Sequence, residues 1–208
     1  MSYAALAALL LAVALSGGIF VRRARLLVGL VRNGKPAPRF DDVPARVRNE
    51  AVIALGQRKL LQRLLPGLMH AFIFWGFIAL LPTIAMAMIA IVDRTATLPW
   101  LGHQGWFALL VDVFAVLVLA GVIVTLSIRL IARPERFKGS HLGEAALILA
   151  LIAGVVTTLL PWHAAKIALS LNEWPAAWSP VSNALSGFFD GDAGTAAAER
   201  VLVWAHVL

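Results

Sequence analysis

Apolar residues along this chain come in long unbroken runs, neither at the two-residue period of a strand nor at the 3.6-residue period of a half-buried helix. Tyr3 to Val21, Leu64 to Val92 and Ala145 to Ala165 hold no charged residue, and Trp106 to Ile128 holds only Asp112. Each run reaches the roughly 20 residues that a helix rising about 1.5 Å per residue needs to cross about 30 Å of hydrocarbon. A fifth run, Val201 to Leu208, is too short to cross, so the pattern predicts the start of a fifth helix, truncated at Leu208. Lipid offers no partners to backbone N–H and C=O, and the runs lack the alternation of a membrane barrel strand. The predicted fold is therefore all-α, a membrane helical bundle of four complete transmembrane helices and a truncated fifth. The predicted spans are 3–21, 64–92, 106–128 and 143–163. A basic segment over 22–63, a polar loop over 164–198 and the start of the fifth helix over 199–208 complete a single membrane domain, 1–208.

Composition supports this reading, since 61% hydrophobic and 14% charged residues are hard to keep in solution as one domain. Charge then sets orientation. Eleven Lys/Arg fall between Arg22 and Arg63 and four between Arg129 and Ser140 (Arg129, Arg133, Arg136, Lys138), against Arg94, Lys166 and Arg200 in the other connections. Under the positive-inside rule this predicts an N-terminus outside and a cytoplasmic basic segment, in a bacterial-type inner (cytoplasmic) membrane. No basic residue precedes the first run, which is longer than a signal-peptide core, so it reads as a retained span. Membrane topology accounts for the +7 net charge, and no nucleic-acid motif is present, so anionic lipid headgroups are the expected contact of the basic segment. The absence of cysteine excludes disulfides, thiol catalysis and cysteine-held clusters within this chain, leaving histidine for any metal chemistry.

Between the runs, Asn33 to Pro38 reads as a loop, and Asp41-Asp42-Val43-Pro44 as an acidic cap opening a helix from Ala45 to Arg63. Val47, Ala51, Ala54 and Leu55 share one face of that helix, which suits the membrane surface. Leu98 to His103 reads as a short turn on the outer side. Trp100, Trp106, Trp162, Trp174 and Trp178 fall near the predicted outer boundaries, where interfacial aromatics collect. No internal repeat of the kind that builds inverted-repeat transporters is apparent.

Five histidines and one intramembrane acid carry the candidate chemistry. His70 lies about one turn into the second span, with Gly67 and Ala71 beside it and Phe74 and Phe77 at i+4 and i+7. Space beside an imidazole with aromatics beyond suits a flat macrocycle held through an axial nitrogen, while a ring bonded to a nearby carbonyl is the plain alternative. His206 lies in the fifth segment. Because the second span runs outward and the fifth inward, His70 and His206 belong to opposite leaflets and are not expected to share one iron. His141 is the visible inner candidate to partner His70, and His163 and His103 are the outer candidates to partner His206. Asp112, about six residues into the third span, is a functional candidate by default, since an unpaired acid at that depth costs several kcal/mol. It either passes protons near a quinone or pairs structurally with Arg94 or Lys166.

Gly56-Gln57-Arg58-Lys59, the stretch Pro66 to Phe77 around His70, Arg133-Pro134-Glu135-Arg136 and Trp204-Ala205-His206-Val207-Leu208 together carry a family resemblance. They resemble the membrane domain of heterodisulfide-reductase-related iron–sulfur oxidoreductases, the group that includes membrane-bound electron-transfer-flavoprotein:quinone oxidoreductases. That five-helix domain is similar to the gamma subunit of respiratory nitrate reductase, which binds haem b through histidines of its second and fifth helices and exchanges electrons with quinone. The resemblance spans nearly the whole chain. It implies His70 as the helix-two ligand to haem iron and His206 as the first helix-five histidine, with the family's second helix-five histidine about five turns later. Leu80 stands ten residues after His70, where the nitrate reductase subunit has its second helix-two ligand. The resemblance thus implies one haem b, with two as the open alternative, and quinone as the exchangeable substrate. It also implies a cytoplasmic iron–sulfur or flavoprotein partner, so the expected role is the electron-transfer subunit or domain of a membrane quinone oxidoreductase. Two other readings stay open. One is a haem-free structural anchor for a cytoplasmic oxidoreductase. The other is a small transporter, for which only Asp112, Thr125, Ser127, Thr157 and Thr158 offer a polar path.

Overall fold

The computed structural model describes residues 3–35, 41–135 and 142–208, which form helices and turns with no strand among them. Four helices are long and apolar enough to cross a membrane. The chain packs as two compact units, Met1–Lys59 and Leu60–Leu208.

In the first unit, α1 (Tyr3–Arg32) runs 30 residues and passes well beyond the predicted end at Val21. Arg and Leu are good helix formers, and nothing breaks the run before Asn33-Gly34, where Gly34 N–H turns back to the Val31 carbonyl at 3.1 Å. At about 45 Å the helix outreaches the roughly 30 Å hydrocarbon core by about half. Asp42 then caps α2 (Val43–Asn49), its carboxylate accepting the Ala45 N–H at 3.3 Å, with Pro44 in the first turn. The helix continues as a wider π-type turn, Glu50–Leu55, and stops there instead of reaching Arg63. Gly56 closes it: a Cβ at that position would lie 2.7 Å from the Val52 carbonyl oxygen, and Gln57 follows with a left-handed φ of 54°.

The second unit opens with α3 (Leu64–Val92), whose bounds are those of the second apolar run. Its entry depends on Gly67, since a Cβ there would lie 2.4 Å from the Leu60 carbonyl. α4 (Gly105–Ser127) ends in a π-type turn at Ile128–Ala132, and α5 (Leu142–Ala168) extends one turn beyond its predicted span. The expected polar loop over 164–198 is largely ordered. It contains the last turn of α5, a short turn at Ala176–Trp178, α6 (Pro180–Ser186) and the start of α7 (Ala193–Val207). Asp192 sets that early start by accepting the Thr195 N–H at 2.8 Å. The Thr195 backbone N–H and then its hydroxyl hold the Asp192 carboxyl below the usual carboxylate range. A lowered folded-state value makes this cap fully effective above the ordinary carboxylate pKa and lost as pH falls through the lowered one.

α3 packs on α4, α4 on α5, α5 on α6 and α7, and α7 back on α3. The α3–α4 seam depends on small residues, as lipid-embedded helix contacts do. A Cβ at Gly76 would lie 2.1 Å from Val118 Cγ2, and one at Gly121 would lie 3.0 Å from the Met69 carbonyl oxygen. Gly76→Val should therefore lower stability by about 1–3 kcal/mol through overpacking. Gly154→Ala on α5, where nothing lies within 4 Å, should be neutral or slightly stabilising. Unfolding of the detergent-solubilised variants in SDS measures both, and equal midpoints for the pair would contradict a close seam.

Ion pairs and helix-end bonds fasten the ring. Arg94 Nε and Trp162 Nε1 donate to the two oxygens of Glu199 at 2.9 and 3.1 Å, and Glu199 is fully buried. Arg200 donates to the last-turn carbonyls of α3, Ala90 at 2.9 Å and Ile91 at 2.7 Å. Lys166 Nζ meets Glu173 Oε1 at 2.6 Å. Trp162 and Trp174 are core residues at 1% and 4% exposure, not the interfacial aromatics expected, because each indole N–H has a buried acceptor, Glu199 and Ser179 Oγ respectively. Trp100, Trp106 and Trp178 are exposed.

Candidate functional site

α3 and α5 are held apart, each resting on α4 and α7, and a groove of about 460 Å³ lies between them. That volume falls in the small-molecule range. α3 contributes His70, Phe74, Phe77, Leu81 and Ile84, a row recurring every three or four residues. Leu151, Val155 and Leu159 of α5 face it, and Val118 of α4 forms the floor. The only polar side chains among these lining residues are His70, Thr83 and His206. Phe77, Leu81 and Leu151 are each more than half exposed, so the groove opens sideways to whatever surrounds the bundle.

His70 is exposed at one end, its ring nearly parallel to Phe74 (15°) with centroids 6.4 Å apart. His206 closes the other end at 3% exposure. Its Nδ1 lies 2.9 Å from the Val155 carbonyl oxygen, which can only accept, so Nδ1 carries the hydrogen and Nε2 the lone pair. Nε2 faces Thr83 Oγ1 at 3.4 Å, and Thr83 also reaches the Leu80 carbonyl at 2.7 Å. The imidazole stacks on Trp162 at 5.9 Å and 27°.

Thr83, beside His206, stands thirteen residues beyond His70 on one continuous helix, a separation of about 20 Å. Two imidazoles on one metal stand roughly 4 Å apart, twice a metal–nitrogen bond of about 2 Å. The two histidines therefore share a groove but not an iron. Leu80 lines the groove near His206, so α3 presents Leu80 and Thr83, not a ligand, to that imidazole.

The remaining expectations divide. His103 sits exposed in the 3-10 turn Leu101–His103, away from the groove lining. His141 lies outside the described residues. His163 is buried at 2% exposure between Trp162 and Trp174, at centroid distances of 5.1 and 5.2 Å, and neither ring nitrogen has a hydrogen-bond partner. Asp112 has 0% exposure and pairs with neither Arg94 nor Lys166. Its Oδ2 accepts the backbone N–H of Val181 at 2.6 Å and of Ser182 at 3.1 Å, and its Oδ1 accepts the Ser182 hydroxyl at 2.6 Å. Asp112 is the cap of α6, supplied from another helix. Ser127, Thr157 and Thr158 donate back to Ile123, Ala153 and Gly154 carbonyls of their own helices, so these hydroxyls form no polar path. Sequence reading missed Thr83, Val155 and Glu199. The i+3/i+4 row from His70 through Phe77 points along the groove, but nothing in sequence marks the Val155 carbonyl.

The two ends of the groove differ in what they offer a metal-bearing ligand. At one end His70 adds an imidazole to the apolar wall, with the Phe74 ring nearly parallel to its own. At the other end a metal on His206 Nε2 would require the Thr83 hydroxyl, 3.4 Å away, to swing clear.

No family model matches the chain, and no solved structure matches it. It is similar to the EtfAB:quinone oxidoreductase of Syntrophomonas wolfei subsp. wolfei (strain DSM 2245B / Goettingen), 28% identical over 189 residues that cover 88% of this chain and 26% of that protein. The chain thus spans about a quarter of the length of the curated relative it matches.

Proposed function

We propose that this chain is a haem b-holding membrane domain of a quinone-linked electron-transfer protein, in which the His70 imidazole would hold the iron. The observation that carries the reading is the apolar groove of about 460 Å³ with His70 at one end, in a chain similar to a quinone oxidoreductase. Bound haem would supply one-electron transfer. Phe74 would orient the His70 ring, and the aliphatic walls from α3 and α5 would keep water from the iron and tune its potential through burial. His206, bonded through Nδ1 and facing Thr83, is assigned to the groove wall. The charge distribution supports an N-terminus outside and a basic face toward a cytoplasmic iron–sulfur or flavoprotein partner, in a bacterial-type inner membrane.

The optical spectrum of the purified full-length protein tests this. Wild type should show a dithionite-reducible b-type Soret and alpha band, His70→Ala should lose it, and His206→Ala should keep it. Absence of the band in wild type would leave the haem-free anchor as the better reading. A band that survives in His70→Ala would move the ligand elsewhere.

A further inference from the structure

The groove is almost without polar groups, yet α5 continues its groove-facing register into a buried polar cluster. Ile152, Val155, Val156 and Leu159 line the groove, and the next positions at that spacing are His163 and then Lys166. His163 is 2% exposed with both ring nitrogens unpartnered. Lys166 is paired with Glu173 Oε1 at 2.6 Å, while Glu173 Oε2, Arg94 Nη2 and Thr97 Oγ1 are also buried without partners. Buried polar atoms are satisfied in the great majority of cases, so an unsatisfied group at the end of a groove marks ordered water or a transferable proton. A histidine present only for packing would be expected to bond at least one nitrogen, as His206 does.

We propose that His163 is a proton relay between the His206 end of the groove and the Lys166–Glu173 pair, serving a quinone ring at that end, about 20 Å along α3 from His70; this rests on the quinone-linked reading above. When a quinol is oxidised, its two O–H bonds break, two electrons leave singly to a one-electron acceptor, and two protons leave as the quinone carbonyls form. Among the described lining residues, Thr83 and His206 are the polar groups at that end. The His206 and His163 rings both lie against Trp162, at 5.9 and 5.1 Å, so a proton passed there crosses to His163 through water, and it leaves by the same means toward Glu173 Oε2. Reduction of a quinone runs the same path backwards. The charged and titratable groups around His163 are Lys166 on α5, Glu173 on the α5–α6 connection, His206 and Glu199 on α7, and Arg94 before α4. His163 acts through other groups, so it is a positioning residue for the proton and not a catalytic one.

The test uses the full-length protein with a short-chain quinol and ferricyanide as one-electron acceptor, following quinone formation at its own absorbance from pH 5.5 to 8.5. His163→Gln should slow the reaction by about tenfold or more across that pH range and raise its solvent deuterium isotope effect, since proton transfer then limits the rate. Glu173→Gln should slow it in the same direction. A dithionite-reduced spectrum and an SDS unfolding midpoint equal to wild type establish that the variants are folded. A wild-type rate and isotope effect in His163→Gln would overturn the relay while leaving the haem reading intact. Absence of the haem band with quinol oxidation still sensitive to His163→Gln would overturn the haem reading and keep the relay. No quinol oxidation by wild type would overturn the quinone-linked reading and the relay with it.

Discussion

Asp112→Ala is expected to lower the stability of the Leu60–Leu208 unit by about 3 kcal/mol and to release α6 from the bundle. The carboxylate is fully buried and accepts three hydrogen bonds, two of them from backbone N–H groups that open α6. Removing it leaves those donors facing α4 with no acceptor, and a helix N-terminus without its anion. Asn keeps one acceptor oxygen but adds an N–H₂ among donors, so Asp112→Asn should fall between alanine and wild type. SDS unfolding reports the loss, and limited proteolysis between Trp178 and Asp190 should become faster in Asp112→Ala. An unchanged cleavage rate together with an unchanged midpoint would show that the cap contributes nothing.

Glu199→Ala should be comparably severe, by about 3 kcal/mol, because the carboxylate is shared by the Arg94 guanidinium and the Trp162 indole. Truncation leaves a cation and a buried N–H with no acceptor. Arg94 is about one-third exposed and can turn toward solvent, which discounts the charge part and leaves the indole and the void as the main loss. Arg94→Ala in the Glu199→Ala background should therefore add little. The double-mutant cycle on SDS midpoints gives the coupling, and fully additive effects would mean that the pair observed at 2.9 Å does not stabilise the fold.

The difference between these two acids explains what the sequence could announce. Four spanning helices were legible because each is a long apolar run and lipid permits only one backbone solution to such a run. α3 matched at both ends because its boundaries are changes of polarity. α1 did not: its helix continues past Val21 through four arginines, since leaving hydrocarbon is no reason for a backbone to unwind. That Asp112 is paired follows from its depth, whereas the identity of the partner does not. The partner backbone lies about seventy residues away, and backbone donors look alike in any sequence. Trp162 and Trp174 were read as interfacial from their place near span ends. Only the packing of α7 and of the α5–α6 connection reveals the buried acceptors that draw them inward.

Along the groove, the row of His70, Phe74 and Phe77 was readable from its helical spacing. The hydrogen bonds that tie His206 to Val155 and Thr83 join residues 51 and 123 positions away, and no local pattern encodes them.

The buried contacts made by Arg94, Glu199 and Arg200 also bear on the order in which the bundle assembles. Glu199 and Arg200 stand on α7, and what they bind, Arg94 and the end of α3, lies more than a hundred residues earlier. During synthesis α3, α4 and α5 are complete before α7 exists, so Arg94 and the terminal carbonyls of α3 lack these partners until then. Arrival of α7 neutralises the guanidinium, caps α3 and shuts one end of the groove in a single docking step. Contacts of such sequence separation form late. A flat ligand entering the groove would therefore do so most easily before that helix is in place, which makes loading of the site a matter of assembly order as much as of affinity.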